Sequence, residues 1–361
     1  MKGLWKYLSP FAPDQSGATA VLCEMGGLIV IIDAGGCAGN ICGFDEPRWF
    51  EKKSAIFSAG LRDMDAILGR DDRLVEKIQK ACQKIEGNFI ALIGTPVPAV
   101  IGTDYKALKR MLEARTGIPV LALNTCGVRY YDVGCEKAWM ALFEEFTEKS
   151  YGMNPGSYGI IGATPFDGNP EDFLQESFSD KKAKVFCYGL NGSIDAIRQA
   201  GQVMKNYVVA PSALKAARYL AKRFGVPYEI QYPLDRIPGH ASFIKEMKSM
   251  ISSGKAPGRV LIVHQQVLAH TLRLELEQFM HAQIMAATWF MMDPEIRRPG
   301  DVSLKEEDDW LQLVREGDFD LIIADELLGQ AVPDYKGRFI PLNHFPISGK
   351  SLSFPDYAPK G

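Results

Sequence analysis

Short apolar runs bounded by glycine or proline alternate with longer amphipathic stretches from one end of the chain to the other, and this alternation restricts the fold more than any other feature. Runs of Val, Ile and Leu without polar alternation suit strands buried on both faces, as in a parallel sheet covered by helices. The class read here is therefore α/β. A first group of strands is expected at Leu28 to Asp33, Phe89 to Ile93 and Val120 to Asn124, with helices over Asp71 to Ile85 and Thr103 to Thr116. The second of these helices starts at Gly102-Thr-Asp104 and stops at Gly117, suitable start and stop signals. A breaker cluster, Tyr151 to Tyr158, opens a second group with strands at Tyr158 to Gly162, Lys184 to Cys187 and Tyr207 to Val209. A helix from Pro211 to Phe224 follows, with proline in its first turn. Beyond Ser252 to Gly258 a third group has strands at Val260 to Val263, Gln283 to Ala287 and Leu321 to Ala324. The expectation is three Rossmann-like parallel-sheet domains over 1–155, 156–255 and 256–361.

With 47% hydrophobic and 24% charged residues, the composition excludes a disordered chain. The formal charge of -3, with signs well mixed, gives no basic surface for nucleic acid. The longest apolar run, Ile284 to Met292, falls far short of the about 20 residues that span a bilayer. Lys2 and Lys6 flank Leu4 and Trp5 and break any apolar signal sequence, so the chain is expected in the cytoplasm. Its seven cysteines are then expected as thiols.

Ligands of open parallel sheets sit outside the carboxyl ends of the strands. The first such loop, after Asp33, has glycines at 35, 36, 39 and 43 that do not fit the G-x-G-x-x-G register, so no NAD is expected. Without a G-x-x-x-x-G-K-[ST] loop, the chain is not expected to bind ATP by P-loop chemistry. Serine-hydrolase and zincin signatures are absent as well. What the loop does carry is Cys37 and Cys42 among those glycines. Thiolates hold iron-sulfur clusters, and small buried thiols also simply pack beside glycine; both readings stand at this point.

Asp33-Ala-Gly-Gly-Cys-Ala-Gly-Asn-Ile-Cys-Gly-Phe-Asp45, preceded by Leu8-Ser-Pro-Phe-Ala-Pro-Asp-Gln-Ser-Gly-Ala18, resembles the N-terminal region of the nitrogenase component 1 superfamily. Gly94-Thr-Pro-Val-Pro-Ala-Val-Ile-Gly-Thr-Asp104, Pro119 to Gly127 and Leu342-Asn-His-Phe-Pro-Ile-Ser-Gly349 extend the resemblance over nearly the whole chain in order. The superfamily includes molybdenum-iron protein subunits, cofactor-assembly scaffolds, dark-operative protochlorophyllide reductase and a reductive cyclase of tetrapyrrole coenzyme synthesis. The resemblance implies three Rossmann-like domains and an iron-sulfur cluster, 4Fe-4S in type, at a subunit interface.

Cys37 falls on the family's glycine-flanked cluster cysteine, with Gly36 and Gly39 beside it. The family's other two cluster cysteines fall near Ser9 and at Thr95, so Cys42, and then Cys23 or Cys126, are the replacements to consider. Asp14 and Asp33 are further candidates because an aspartate ligand occurs in the family. At the family's second site the cysteine position falls near Val209, which cannot ligate, and the histidine position near His344. His264, opening the loop after a strand, is a second candidate catalytic residue, or an ordinary loop histidine. Dinitrogen is not the expected substrate.

The resemblance implies a subunit of a two-component reductase, paired as a homodimer or with a related chain. Its electrons would come from an ATP-dependent iron protein docking around Cys37 and Phe44-Asp-Glu-Pro-Arg-Trp49. The alternatives are a non-catalytic scaffold for iron-sulfur cofactor assembly and a cluster-free small-molecule binding protein.

Overall fold

The computed structural model describes residues 5–45, 53–148, 152–165, 167 and 183–354. Its strands form three sheets, parallel throughout. The first contains β1 (Leu28–Ile32), β2 (Ala55–Ser58), β3 (Ile90–Gly94) and β4 (Val120–Leu123) in the order β2-β1-β3-β4. The second contains β5 (Ser157–Ile161), β6 (Lys184–Cys187), β7 (Lys205–Val208) and β8 (Tyr228–Ile230) in the order β6-β5-β7-β8. In the third, β9 (Arg259–Val263), β10 (Gln283–Thr288), β11 (Val302–Ser303), β12 (Leu321–Ala324) and β13 (Arg338–Pro341) take the order β11-β10-β9-β12-β13. Every residue of β1, β3 and β12 is buried, as their unbroken apolar sequences require.

Each sheet reverses its strand order once, between β1 and β3, β5 and β7, and β9 and β12. Loops leaving the carboxyl ends of such a pair diverge to opposite faces and leave a crevice. The three crevices are thus bordered by the loops after Ile32 and Gly94, after Ile161 and Val208, and after Val263 and Ala324.

Two helices tie the sheets together. Asp14–Leu22 is buried along its whole length and packs against Tyr131–Phe146. The helices cross so closely that a Cβ added at Gly17 would stand 1.9 Å from the Tyr131 carbonyl oxygen, and one at Gly134 1.7 Å from that of Asp14. Further along, Tyr131–Phe146 presents Phe143 edge-on to Tyr188, which follows β6, with ring centroids 5.2 Å apart. One apolar cluster consequently contains Ile31, Ile161 and Val263 from three different sheets.

The N-terminal segment crosses from the first sheet to the third. Trp5 packs edge-on against Phe11, and Phe11 stacks on Phe290 at 5.9 Å. The backbone N–H of Ala12 donates to Pro346, while those of Lys6 and Tyr7 donate to the carboxylate of Glu307. The acidic run Lys305 to Asp309, which reads as a simple helix first turn, therefore also supplies a buried anchor.

Candidate functional site

Two regions at the carboxyl edges carry polar chemistry. At the first sheet, Asp33 directly follows β1 and is buried; its carboxylate accepts the N–H of Ala38 at 2.8 Å and the hydroxyl of Ser58 at 2.6 Å. Gly35, at φ 125°, turns the chain into the short helix Gly36–Asn40. Cys37 and Cys42 are half-buried there, and Cβ atoms added at Gly36, Gly39 and Gly43 would meet nothing within 4 Å among the described residues.

On the neighbouring loop after β4, Asp14 accepts the N–H of Cys126 at 3.0 Å and of Gly127 at 2.7 Å, and the Cys126 Sγ lies 3.7 Å from the same carboxylate. Asp14 and Asp33 are thus both committed to shaping loops. Thr95 is at this edge too, but it is fully buried and its hydroxyl donates to the Ile32 carbonyl at 2.7 Å. Ser9 is exposed on the N-terminal segment. Cys23 is not brought to this edge. It follows helix Asp14–Leu22 and its carbonyl accepts the N–H of Ser54 just before β2, which puts it at the amino end of the parallel sheet.

Among the described residues, no group of three or more His, Cys, Asp or Glu side chains converges as a metal site. Thiols on an open loop suit part of a cluster's ligand set and leave the remainder to another chain. Val100, in the short helix Pro96–Ile101 that follows β3, and Val128, on the loop that follows β4, are 86% and 80% exposed. Of the docking segment Phe44 to Trp49, residues 46–49 lie outside the described residues.

The second region is a cavity of about 60 Å³ where the crevices of the second and third sheets meet helix Tyr131–Phe146. His264 and His344 line it with their rings stacked at 4.0 Å and an interplanar angle of 27°. The Nε2 of His264 is 3.1 Å from the Asn343 carbonyl oxygen, which can only accept, so that nitrogen carries the proton. Burial lowers His264 to about 4, and burial and then the neighbouring His264 hold His344 well below the usual range, so both rings are neutral near pH 7. Among the described residues neither Nδ1 has a hydrogen-bond partner.

Asp325 positions His344: its carboxylate accepts the His344 N–H at 2.7 Å, the Ser348 hydroxyl at 2.6 Å and the Leu327 N–H at 2.9 Å. The Gln265 amide bridges two sheets by donating to the Val209 carbonyl at 2.7 Å. Two more carboxyls line the cavity. Asp132 is raised to about 6 by burial, against the N–H groups that bond it, including that of Met291. Asp167 is likewise raised to about 6 by burial, against the N–H and hydroxyl of Thr164 at 2.7 and 2.9 Å.

The structure thus brings together His264 and His344, which lie far apart in sequence. Asp132, Asp167 and Asp325 had no assigned role in the sequence reading. The strand-end rule points to the loop opening at Ala163-Thr-Pro165, and Asp167 lies two residues beyond it.

The model of the nitrogenase component 1 type oxidoreductase family matches residues 14–277. The nitrogenase iron-molybdenum cofactor biosynthesis protein NifE of Clostridium pasteurianum is 27% identical over 180 residues, 48% of this chain and 38% of that protein. Component CfbD of the Ni-sirohydrochlorin a,c-diamide reductive cyclase complex of Methanosarcina acetivorans is 25% identical over 239 residues, 59% of this chain and 61% of that protein. The matched region therefore spans from under half to about three fifths of these relatives' lengths. Among solved structures, nitrogenase Cp1 at pH 6.5 superposes with a TM-score of 0.69 at 15% identity, covering 96% of this chain and 88% of that one. This α/β chain, with its nitrogenase component 1 fold, belongs to the nitrogenase component 1 type oxidoreductase family.

Proposed function

We propose that the chain is the cluster-carrying subunit of a two-component nitrogenase-like reductase. The observation that carries this reading is the division of the molecule into a thiol-bearing edge that is open among the described residues and a separate cavity lined by two histidines and two carboxyls. Cys37 and Cys42 would hold the iron-sulfur cluster, with Cys126 on the adjacent loop as a further donor and the remaining ligands from a second chain across the edge that exposes Val100 and Val128. When bound, the cluster supplies single electrons at low potential. The chain's own residues fix the thiol loop through Asp33 and enclose the substrate beside the two neutral imidazoles. Electrons would arrive from an ATP-dependent iron protein, with neither NAD nor ATP bound by this chain.

A cofactor-assembly scaffold is the second reading, supported by the similarity to NifE. Anaerobic reconstitution with iron and sulfide, followed by metal analysis and electron paramagnetic resonance, tests the cluster assignment. Cys37→Ser should lose most of the bound iron while remaining folded; unchanged iron in that variant removes it. Reduction of the loaded protein by an iron protein only when ATP is present separates the reductase from the scaffold.

A further inference from the structure

The cavity is unusual in its balance of charge. Asp132 and Asp167 both line it, yet no lysine or arginine does among the described residues. One oxygen of Asp132, Oδ1, is buried without a hydrogen-bond partner among the described residues. His264 adds an acceptor nitrogen, since its Nε2 is the protonated one and its Nδ1 has no partner among the described residues. Helix N-termini can neutralise carboxylates. Two of the nearby helix starts are already capped, Val267 N–H by the Gln265 side chain at 2.8 Å and Leu327 N–H by Asp325 at 2.9 Å; Asp132 itself sits in the first turn of Tyr131–Phe146, which has no side-chain cap and offsets part of its charge. Among the described residues the lining therefore carries two carboxyls and no positively charged side chain. A buried carboxylate in such a place is costly until a cation joins it.

We propose that this cavity binds a small ammonium-type cation, an ammonium or primary amine group that Asp132 and Asp167 flank and that donates a hydrogen bond to His264. At about 60 Å³ the space between the lining side chains holds roughly four water-sized groups, which suits a small head group. The proposal rests on the cavity being the substrate site of the reductase described above, and names the charged group of its substrate or product. A bound cation would move both carboxyls back toward ordinary acidity, since their elevation reflects burial that their hydrogen bonds only partly offset.

The probe is methylammonium chloride, titrated calorimetrically into the metal-free protein at constant ionic strength, with methanol as the neutral isostere and tetramethylammonium as the oversized cation. Saturable one-to-one binding of methylammonium alone is expected. Asp132→Asn keeps an acceptor for the Met291 N–H and should weaken binding on the order of 30-fold, as should Asp167→Asn. If one variant fails to fold, the other and the size-matched probes still decide. Absence of binding to the wild type, equal binding of methanol, or unchanged affinity in a folded Asp→Asn variant would overturn the proposal. So would stoichiometric displacement of methylammonium by zinc, which would mark a metal site instead. Cys37→Ser should leave methylammonium binding intact, so failure of the cluster assignment and failure of this one are read separately.

Discussion

The thiol edge of the first sheet and the cavity between the second and third are built by the same rule and finish as opposites. Both lie where a parallel sheet reverses its strand order. Among the described residues little packs over the first reversal: the thiols are half-buried, Cβ atoms added at the loop glycines would meet nothing within 4 Å, and large apolar side chains are exposed. Over the other two, helix Tyr131–Phe146 and the Asn343 to Pro346 turn close the space, and His264 and His344 are buried. Strand order therefore chooses where chemistry is placed, and the covering elements choose whether that place is an interface or an enclosure.

The helix pair common to both regions is where the comparison breaks most completely. Gly134→Ala drives a Cβ into the Asp14 carbonyl, displacing Asp14 from the Cys126 loop and Tyr131–Phe146 from the cavity, at an expected cost of about 3 kcal/mol. Urea denaturation measures it, and a loss below about 1 kcal/mol would show that the crossing can yield.

Asp325→Ala should affect the cavity alone. Three groups lose their acceptor, for a loss of about 2–3 kcal/mol in the same assay, while the alkylation rate of Cys37 stays at its wild-type value. A changed rate would mean that the two regions are not independent.

A smaller effect concerns pH. Asp132 and Asp167 are raised in the fold, so the unfolded chain loses their protons first, and their contribution falls as pH rises from about 4 to 6. His264 and His344 are lowered, so the unfolded chain binds protons more readily, and their contribution rises from about 4 to 6.5. The opposing slopes cancel in part. Asp132→Asn with Asp167→Asn should leave a stability that climbs with pH over this window, checked by melting temperature; a flat or falling profile would contradict the neutral histidine pair. Smallest of all, Ser9→Ala at an exposed position should change both stability and iron content negligibly, within about 0.5 kcal/mol for the former.

The central strands were legible because burial on both faces leaves an unbroken apolar run, as in Leu28–Ile32 and Leu321–Ala324. Ala55–Ser58, Tyr228–Ile230, Val302–Ser303 and Arg338–Pro341 escaped the reading. All four are edge strands, and edges carry polar residues and proline that erase the run. Helix Asp14–Leu22 escaped for a related reason: it is buried all round, so it has no amphipathic stripe to detect. At the sites, the loops could be anticipated from the strand ends. The commitments of Asp14, Asp33 and Thr95 to backbone groups could not, since their partners lie in other loops or strands, and Thr95 bonds a strand 63 residues away. The pairing of His264 with His344 is likewise a product of the third sheet's order, which sets β9 two strands from β13.

The N-terminal segment has an optical consequence. Trp5 lies 6.3 Å from Trp289 and 4.7 Å from Phe11, and Phe11 in turn touches Phe290, whose ring meets His344 at 4.9 Å. Trp5 thereby stands at the head of a segment that is anchored on Glu307 and ends at Asp14 beside the thiol edge, and Trp289, after β10, packs near it. Their emission is a native, label-free gauge of the mechanical link between the two regions, reporting at one wavelength a displacement begun at either end.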